Sequence, residues 1–298
     1  MWIIFSLIAA VADASRMAVN KHLSIKKDPS SIFYLMLLYG MPFVAIMAYF
    51  TFDKLPFGNP YFAVPAILGA LIMALGSLLL AKASNRCDVS IVAPIIGLTP
   101  ILVVPIEYVL LGTLPNIYGL GGIILVVFGS YILNFSQIKS RGIFGPFKVL
   151  FKLNGGLLPL IVAIIFSIGA TANKYALQFT DSFSYATWVL MGTFLVATVY
   201  LFGIRSRVGK NKFRLDTSLI AKPSWSIFQG LLFVAMVYSE LYAASLISAA
   251  YMIALKRLAA LFGVAFGYFI FKEEKIRERA IGAIIMVVGA IVLVMFGK

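Results

Sequence analysis

The chain has 298 residues, of which 62% are hydrophobic and 12% charged, with a mean hydropathy of +1.00 and a formal net charge of +14. Soluble globular proteins are roughly half apolar and about a quarter charged, so this composition excludes a soluble fold. One cysteine and one histidine exclude an intramolecular disulfide and a metal centre built from thiols or imidazoles.

Ten apolar segments follow one another along the chain. A helix needs about 20 mainly apolar residues to cross a bilayer. The first segment lacks a basic residue before its apolar run, so we expect a retained helix rather than a signal peptide. The sequence predicts an all-α membrane protein with ten transmembrane helices, spans 1 to 10, near residues 2–23, 31–51, 61–81, 89–111, 117–135, 156–177, 183–203, 226–246, 248–271 and 279–296.

The two halves of the chain are similar to each other. Because five is odd, two five-helix repeats must have opposite orientations, as in many secondary transporters. We therefore expect two inverted repeats, 1–138 and 156–298, joined by a basic connection over 139–155. The matched residues are Asn20-Lys21 with Asn173-Lys174, Asp28 and Ser31 with Asp181 and Ser184 (a shift of 153), and Gly122 and Gly129 with Gly282 and Gly289 (a shift of 160).

The basic residues are distributed unequally between the two sides of the predicted bundle. Nineteen of the 25 lie at the connections that lead from odd to even spans, and only Lys54, Lys174 and Lys298 lie on the opposite side. Cytoplasmic loops carry the excess of lysine and arginine. We therefore expect a multi-pass protein of the cell (inner or plasma) membrane with both termini on the extracytoplasmic side.

Several motifs indicate a family. The stretch Ala93–Pro100 (APIIGLTP), followed by Leu111–Thr113 and Gly122–Gly129, resembles the EamA domain of the drug/metabolite transporter superfamily. The second half repeats the pattern with Phe271–Glu273 and Gly282–Gly289, although the first half has threonine where the second has Glu273. The resemblance covers nearly the whole chain. It implies a transporter with a central cavity lined by both repeats, and in many members cytoplasmic termini, which is opposite to the orientation that the loop charges predict.

Six charged residues lie inside the predicted spans. Each costs on the order of 2.5–3.5 kcal/mol at the centre of a span, so such residues usually face the bundle interior or a wet cavity. Three are acidic and three basic, so they can neutralise one another without a substrate. The alternative is a binding site. The six are Asp13, Arg16, Glu107, Glu240, Lys256 and Arg257.

Lys256 and Arg257 are the most informative pair. They are adjacent in predicted span 9, and adjacent helical residues point about 100° apart. Two neighbouring cations at this depth favour an anion held between them and other groups, because guanidinium and ammonium both bind carboxylate or phosphate. The pair is similar to the one that organellar sugar-phosphate/phosphate translocators of the superfamily use, but this chain lacks the matching lysine in span 4.

Other candidates accompany this pair. Asp13, Arg16 and Asn20 share one face of span 1, since they are three and seven residues apart. We expect Arg16 and Asn20 to bind substrate, and Asp13, Glu107 and Glu240 are candidates for proton coupling. Three prolines in span 4 predict a bend or hinge there. Three tyrosines close to charged positions are candidate cavity walls: Tyr238, Tyr242 and Tyr251.

The favoured function is secondary transport of a small organic anion or zwitterion, phosphorylated or not, by alternating access. The runner-up is a proton-coupled exporter of amino acids or drugs. A non-transporting scaffold or a lipid-handling protein is the hypothesis from another class. No motif indicates an enzyme, a cofactor or a nucleotide-binding segment. The expected partners are the small-molecule substrate, the lipid bilayer and a second copy of the chain in a homodimer, but not nucleic acid.

Overall fold

The computed structural model describes residues 1–23, 28–51, 56–87, 89–133, 156–205, 215–216, 223–269 and 276–297. In this part of the chain the regular elements are all helical, and α8 continues as a π-helix over Val199–Arg205. The α-helices are α1 (Trp2–Leu23), α2 (Pro29–Thr51), α3 (Pro60–Arg86), α4 (Val89–Ile96), α5 (Thr99–Leu111), α6 (Ile117–Leu133), α7 (Leu158–Ala176), α8 (Ser182–Thr198), α9 (Pro223–Leu246), α10 (Ala249–Lys256), α11 (Ala259–Phe269) and α12 (Ile276–Phe296).

These helices form ten membrane spans. Nine segments of the described chain are long and apolar enough to cross a bilayer, with α4 and α5 counting as one segment and α10 and α11 as another. The tenth, α6, has the same character but only 17 residues. The predicted all-α, ten-span fold is therefore confirmed. The predicted connection 139–155 and Glu273 lie outside the described residues.

Spans 4 and 9 are both interrupted, and the interruption of span 9 was not predicted from the sequence. Span 4 breaks at Gly97-Leu98 and span 9 at Arg257-Leu258, which are equivalent positions at the shift of 160. In span 4, glycine and Pro100, which has no N–H, weaken the helix. Span 9 has neither residue at its break. There the backbone nitrogen of Leu258 bonds the carbonyl of Leu255 at 2.9 Å, a tighter turn than the α-helix makes.

The matched glycines lie where the two repeats meet. A Cβ on Gly122 would be 2.9 Å from the carbonyl oxygen of Gly289, and one on Gly129 would be 2.6 Å from the backbone nitrogen of Met286 and 2.7 Å from the carbonyl oxygen of Gly282. Gly122 thus lies against Gly289 and Gly129 against Gly282, so α6 and α12 run antiparallel. Exchanging the repeats turns one contact into the other, as inverted repeats require.

The other helix contacts obey the same exchange. In one interface between the repeats α1 packs against α9, α10 and α11. In the equivalent interface α7 packs against α3, α4 and α5. Matched residues also begin equivalent helices, since the carboxylates of Asp28 and Asp181 accept hydrogen bonds from the backbone nitrogens of Ser31 and Ser184 at 3.3 and 3.0 Å. The end of α3 differs most clearly from prediction. The backbone hydrogen bonds of α3 continue beyond its apolar part, so Arg86 ends this helix instead of lying in a connection.

Candidate functional site

Five charged side chains gather where α1 meets α9 and the break of span 9. We refer to Asp13, Arg16, Glu240, Lys256 and Arg257 as the charged cluster. Asp13 is buried, and it interacts electrostatically with Lys256 and Arg257 as well as with Arg16. The packing of α1 against α9 and α10 brings these residues together although up to 244 positions separate them in sequence. The structure thus brings together residues that the sequence singled out separately.

Four members of the charged cluster form two ion pairs. Nη2 of Arg16 lies 2.6 Å from Oδ1 of Asp13, and Nζ of Lys256 lies 2.5 Å from Oε2 of Glu240. The side chains of Lys256 and Glu240 are 19% and 20% exposed, so this pair is accessible at one edge. Mutual pairing therefore neutralises these four groups in the absence of a ligand.

Arg257 points in a different direction from Lys256. Its Nη2 donates a hydrogen bond of 2.9 Å to Oγ1 of Thr99, the first residue of α5. Its Nε is buried and makes no hydrogen bond within the described residues. Among those residues Arg257 is therefore the member of the charged cluster that has no carboxylate in direct contact.

Glu107 lies apart from the charged cluster, at the other end of α10. Its carboxylate accepts hydrogen bonds from Oγ of Ser248 at 2.8 Å and from the backbone nitrogens of Ala249 and Ala250 at 3.1 and 3.2 Å. A carboxylate at a helix N-terminus satisfies free N–H groups and complements the helix dipole. These contacts favour a structural role, and the role of Glu107 in proton coupling stays a prediction.

The predicted face of span 1 points towards α9. Nε2 of Gln229, which is buried, donates a hydrogen bond to Oδ1 of Asn20. The guanidinium carbon of Arg16 lies 6.0 Å from the ring centre of Phe233, within the range of a cation–π contact. The structure thus brings Arg16 into the charged cluster and places Asn20 in a separate polar contact between the same two helices.

The three candidate tyrosines make their described contacts with residues outside the charged cluster. The hydroxyl of Tyr238 lies 2.6 Å from Oγ1 of Thr187, and the ring of Tyr242 packs on Phe5 with 4.3 Å between centres. Both are two positions from Glu240 and so point away from it on the helix. Tyr251 is buried against Gly119 of α6. Their part in substrate binding stays a prediction.

Sequence reasoning missed Thr99 and Gln229 as members of these contacts. Thr99 stands between Gly97-Leu98 and Pro100, a combination typical of a helix start, and this signal identifies it in retrospect. Gln229 is a single polar residue in an apolar span and gives no signal of its partner. In the described chain no three histidine, cysteine, aspartate or glutamate side chains gather as a metal site would require.

The equivalent positions in the other repeat interface are uncharged. The shifts of 153 and 160 relate the charged cluster to a set of residues where α7 meets α3 and α4. At these positions the other repeat interface is therefore packed with apolar side chains and glycine. The equivalents of Asp13, Arg16, Glu240, Lys256 and Arg257 are Phe166, Gly169, Leu80, Ile96 and Gly97.

Comparison with known proteins agrees with this architecture. The sequence profile of the EamA-like transporter family matches residues 1–135 and again residues 153–295. The chain belongs to the EamA-like transporter family. Members of this family are transporters and not enzymes, so the chain is a multi-pass membrane transporter of the drug/metabolite type. The resemblance seen in the motifs is confirmed.

At least one solved structure shares the fold of the full chain. Twenty-eight chains match, and one of them, described only as "Crystal structure of protein", aligns with a TM-score of 0.75 at 13% sequence identity. The alignment covers 100% of this chain and 98% of the other. At this identity the likeness concerns the fold alone. No curated protein matches the sequence.

Proposed function

We propose that this EamA-family protein is a secondary transporter of a small organic anion or zwitterion and that the charged cluster is its substrate site. The observation that supports this proposal most is the asymmetry between the two repeat interfaces. In the other repeat interface the equivalent positions are uncharged, so the packing of the helices does not require charges there. These positions hold Phe166, Gly169, Leu80, Ile96 and Gly97. Ionisable groups inside a membrane are costly, so their retention in one interface indicates a function.

The interrupted spans support alternating access. Binding sites of inverted-repeat transporters commonly lie at discontinuous helices, where backbone groups are freed for ligands. Here the breaks of spans 4 and 9 contact each other through Thr99 and Arg257. The charged cluster adjoins this contact. Movement of one half-helix relative to the other would therefore change the surroundings of both cations.

A binding screen tests this proposal. The purified protein in detergent is heated with carboxylates, sugar phosphates, nucleotides, amino acids and quaternary amines, and the melting temperature is recorded. A ligand at 100 times its dissociation constant stabilises the folded state by about 2.7 kcal/mol. The Lys256→Gln/Arg257→Gln variant should lose the response to anions. Arg86→Gln is the matched control, because Arg86 is an exposed guanidinium at the end of α3.

The outcomes separate the candidate functions. An anion that stabilises the wild type and Arg86→Gln, but not the double variant, supports the proposal and provides the substrate for transport assays in proteoliposomes. Stabilisation by quaternary amines alone would favour the proton-coupled exporter. A protein that responds to no compound in the panel, with the double variant equally stable, would favour the scaffold. The predicted membrane, orientation and homodimer are further parts of this proposal.

A further inference from the structure

The charged cluster has one positive charge in excess. The Asp13–Arg16 and Glu240–Lys256 pairs each sum to zero, which leaves the charge of Arg257. Glu107 does not neutralise it directly, because it binds the opposite end of α10, about 12 Å away at 1.5 Å per residue. The two half-helix ends at the break have opposite dipole charges and largely cancel. One uncompensated guanidinium therefore remains among the described groups.

The donors of Arg257 are largely unused. A guanidinium carries five N–H groups in a planar fork. Within the described residues only one of them has an acceptor, the hydroxyl of Thr99, while Nε is buried and unpaired. A buried donor without a partner is energetically unfavourable, so an incoming acceptor would stabilise this arrangement. The group that fits two parallel N–H donors is a carboxylate or phosphate.

Charge decides between these two acceptors. A phosphate ester carries about −1.5 to −2 at neutral pH, so it would reverse the net charge of the cluster within the membrane. A carboxylate carries one negative charge and brings the cluster to zero. An extra charge in a membrane interior is costly, so the neutral complex is the more stable one.

Resting on the proposed function, we infer that the transported anion bears a single net negative charge, presented as a carboxylate that binds the guanidinium of Arg257. The two ion pairs stay closed in this complex and flank the ligand. Arg257 is then the residue that binds the anion directly. Lys256 affects anion binding only indirectly, by neutralising Glu240. Substrates with two carboxylates or a phosphate group are rejected by charge.

The test uses minimal probes that differ in charge. Thermal unfolding of the full chain in detergent is measured with sodium acetate, acetamide, succinate and inorganic phosphate, at constant ionic strength set by chloride. The variants are Arg257→Gln, Arg257→Lys and Lys256→Gln, with Arg86→Gln as the control. Acetate should raise the melting temperature of the wild type and of the control. It should have a smaller effect on Lys256→Gln, because the loss of one positive charge already leaves the charged cluster neutral. Acetamide, succinate and phosphate should leave it unchanged.

The variants show whether Arg257 is the ligand. The apparent acetate affinity should fall by about tenfold or more in Arg257→Gln, which is about 1.4 kcal/mol. Arg257→Lys keeps the charge but loses the fork, so it should bind acetate more weakly than the wild type. This second variant decides the question if Arg257→Gln does not fold.

Each contrary result has its own meaning. If succinate or phosphate stabilises more than acetate and the effect disappears in Arg257→Gln, the anion site stands and the inference of a single charge is overturned. If acetate binds equally well without Arg257, the assignment of this residue is overturned. If no anion shifts the wild-type melting temperature, both the inference and the proposed anion transport fall.

Discussion

The guanidinium of Arg257 and the hydroxyl of Thr99 join the breaks of the two repeats, with 2.9 Å between Nη2 and Oγ1. The same hydroxyl donates a hydrogen bond of 2.5 Å to the carbonyl of Ile96, the last residue of α4. Thr99 therefore closes the end of one half-helix and holds a cation from the opposite repeat. The residue links the backbone interruption of span 4 to the charge in span 9.

Thr99→Val removes this link while keeping the side-chain volume. The guanidinium then loses its hydrogen bond and the carbonyl of Ile96 loses its partner, so we expect the free energy of unfolding to fall by about 1.5–3 kcal/mol. Unfolding in mixed micelles with increasing sodium dodecyl sulfate measures it. Thr99→Ser keeps the hydroxyl and is the control. Equal stability of the two variants would show that the hydrogen bond contributes nothing.

The Lys256–Glu240 pair is expected to show coupling in a double-mutant cycle. Either Lys256→Gln or Glu240→Gln leaves one charge without its partner, and the combined variant removes both charges. We expect the double variant to be more stable than the sum of the single changes predicts, by about 0.5–3 kcal/mol. The same detergent titration provides the four free energies. Strict additivity would mean that the two groups do not interact in the folded protein.

The glycine contact between α6 and α12 predicts a contrast between neighbouring positions. A Cβ on Gly129 would lie 2.6 Å from a backbone nitrogen, whereas one on Gly121 has nothing within 4 Å. Gly129→Ala should destabilise the protein by about 1–3 kcal/mol through overpacking. Gly121→Ala should be neutral or stabilising, because alanine favours the helix. The yield of monodisperse protein and the melting temperature measure both effects, and a harmless Gly129→Ala would contradict the described packing.

Glu107→Gln tests whether this carboxylate supports α10 or takes up protons. The amide still accepts hydrogen bonds but lacks the charge that complements the helix end, so we expect the free energy of unfolding to fall by about 0.3–2 kcal/mol. If its role is structural, the pH dependence of anion binding should match that of the wild type. Thermal shifts between pH 5 and 8 measure this dependence. A flattened pH profile at unchanged stability would instead support proton coupling.

The predicted orientation can be tested by labelling. Cys87 is buried and is replaced by alanine to remove the background thiol. Ser140→Cys in the basic connection should react with a membrane-impermeant maleimide only after the cells are permeabilised. Leu114→Cys should react in intact cells, because Leu114 is 61% exposed at the opposite side, between α5 and α6. The reverse pattern would place both termini in the cytoplasm, as the family resemblance implies.

The number of transmembrane spans and the family followed directly from the sequence. Transfer of apolar groups into lipid is a local property of each segment, so ten apolar runs indicate ten spans. The glycines at matched positions also carried correct information, since in the structure Gly122 lies against Gly289 and Gly129 against Gly282.

By itself the sequence determined the number of spans, the inverted repeat, the family and the residues that carry charge into the membrane. Only the tertiary structure decided which charges meet: Lys256 contacts Glu240, whereas its neighbour Arg257 contacts Thr99, 158 positions away. It also decided that span 9 breaks without a proline or glycine. Hydropathy is summed along one segment, but a contact depends on how helices distant in sequence are rotated and packed against each other.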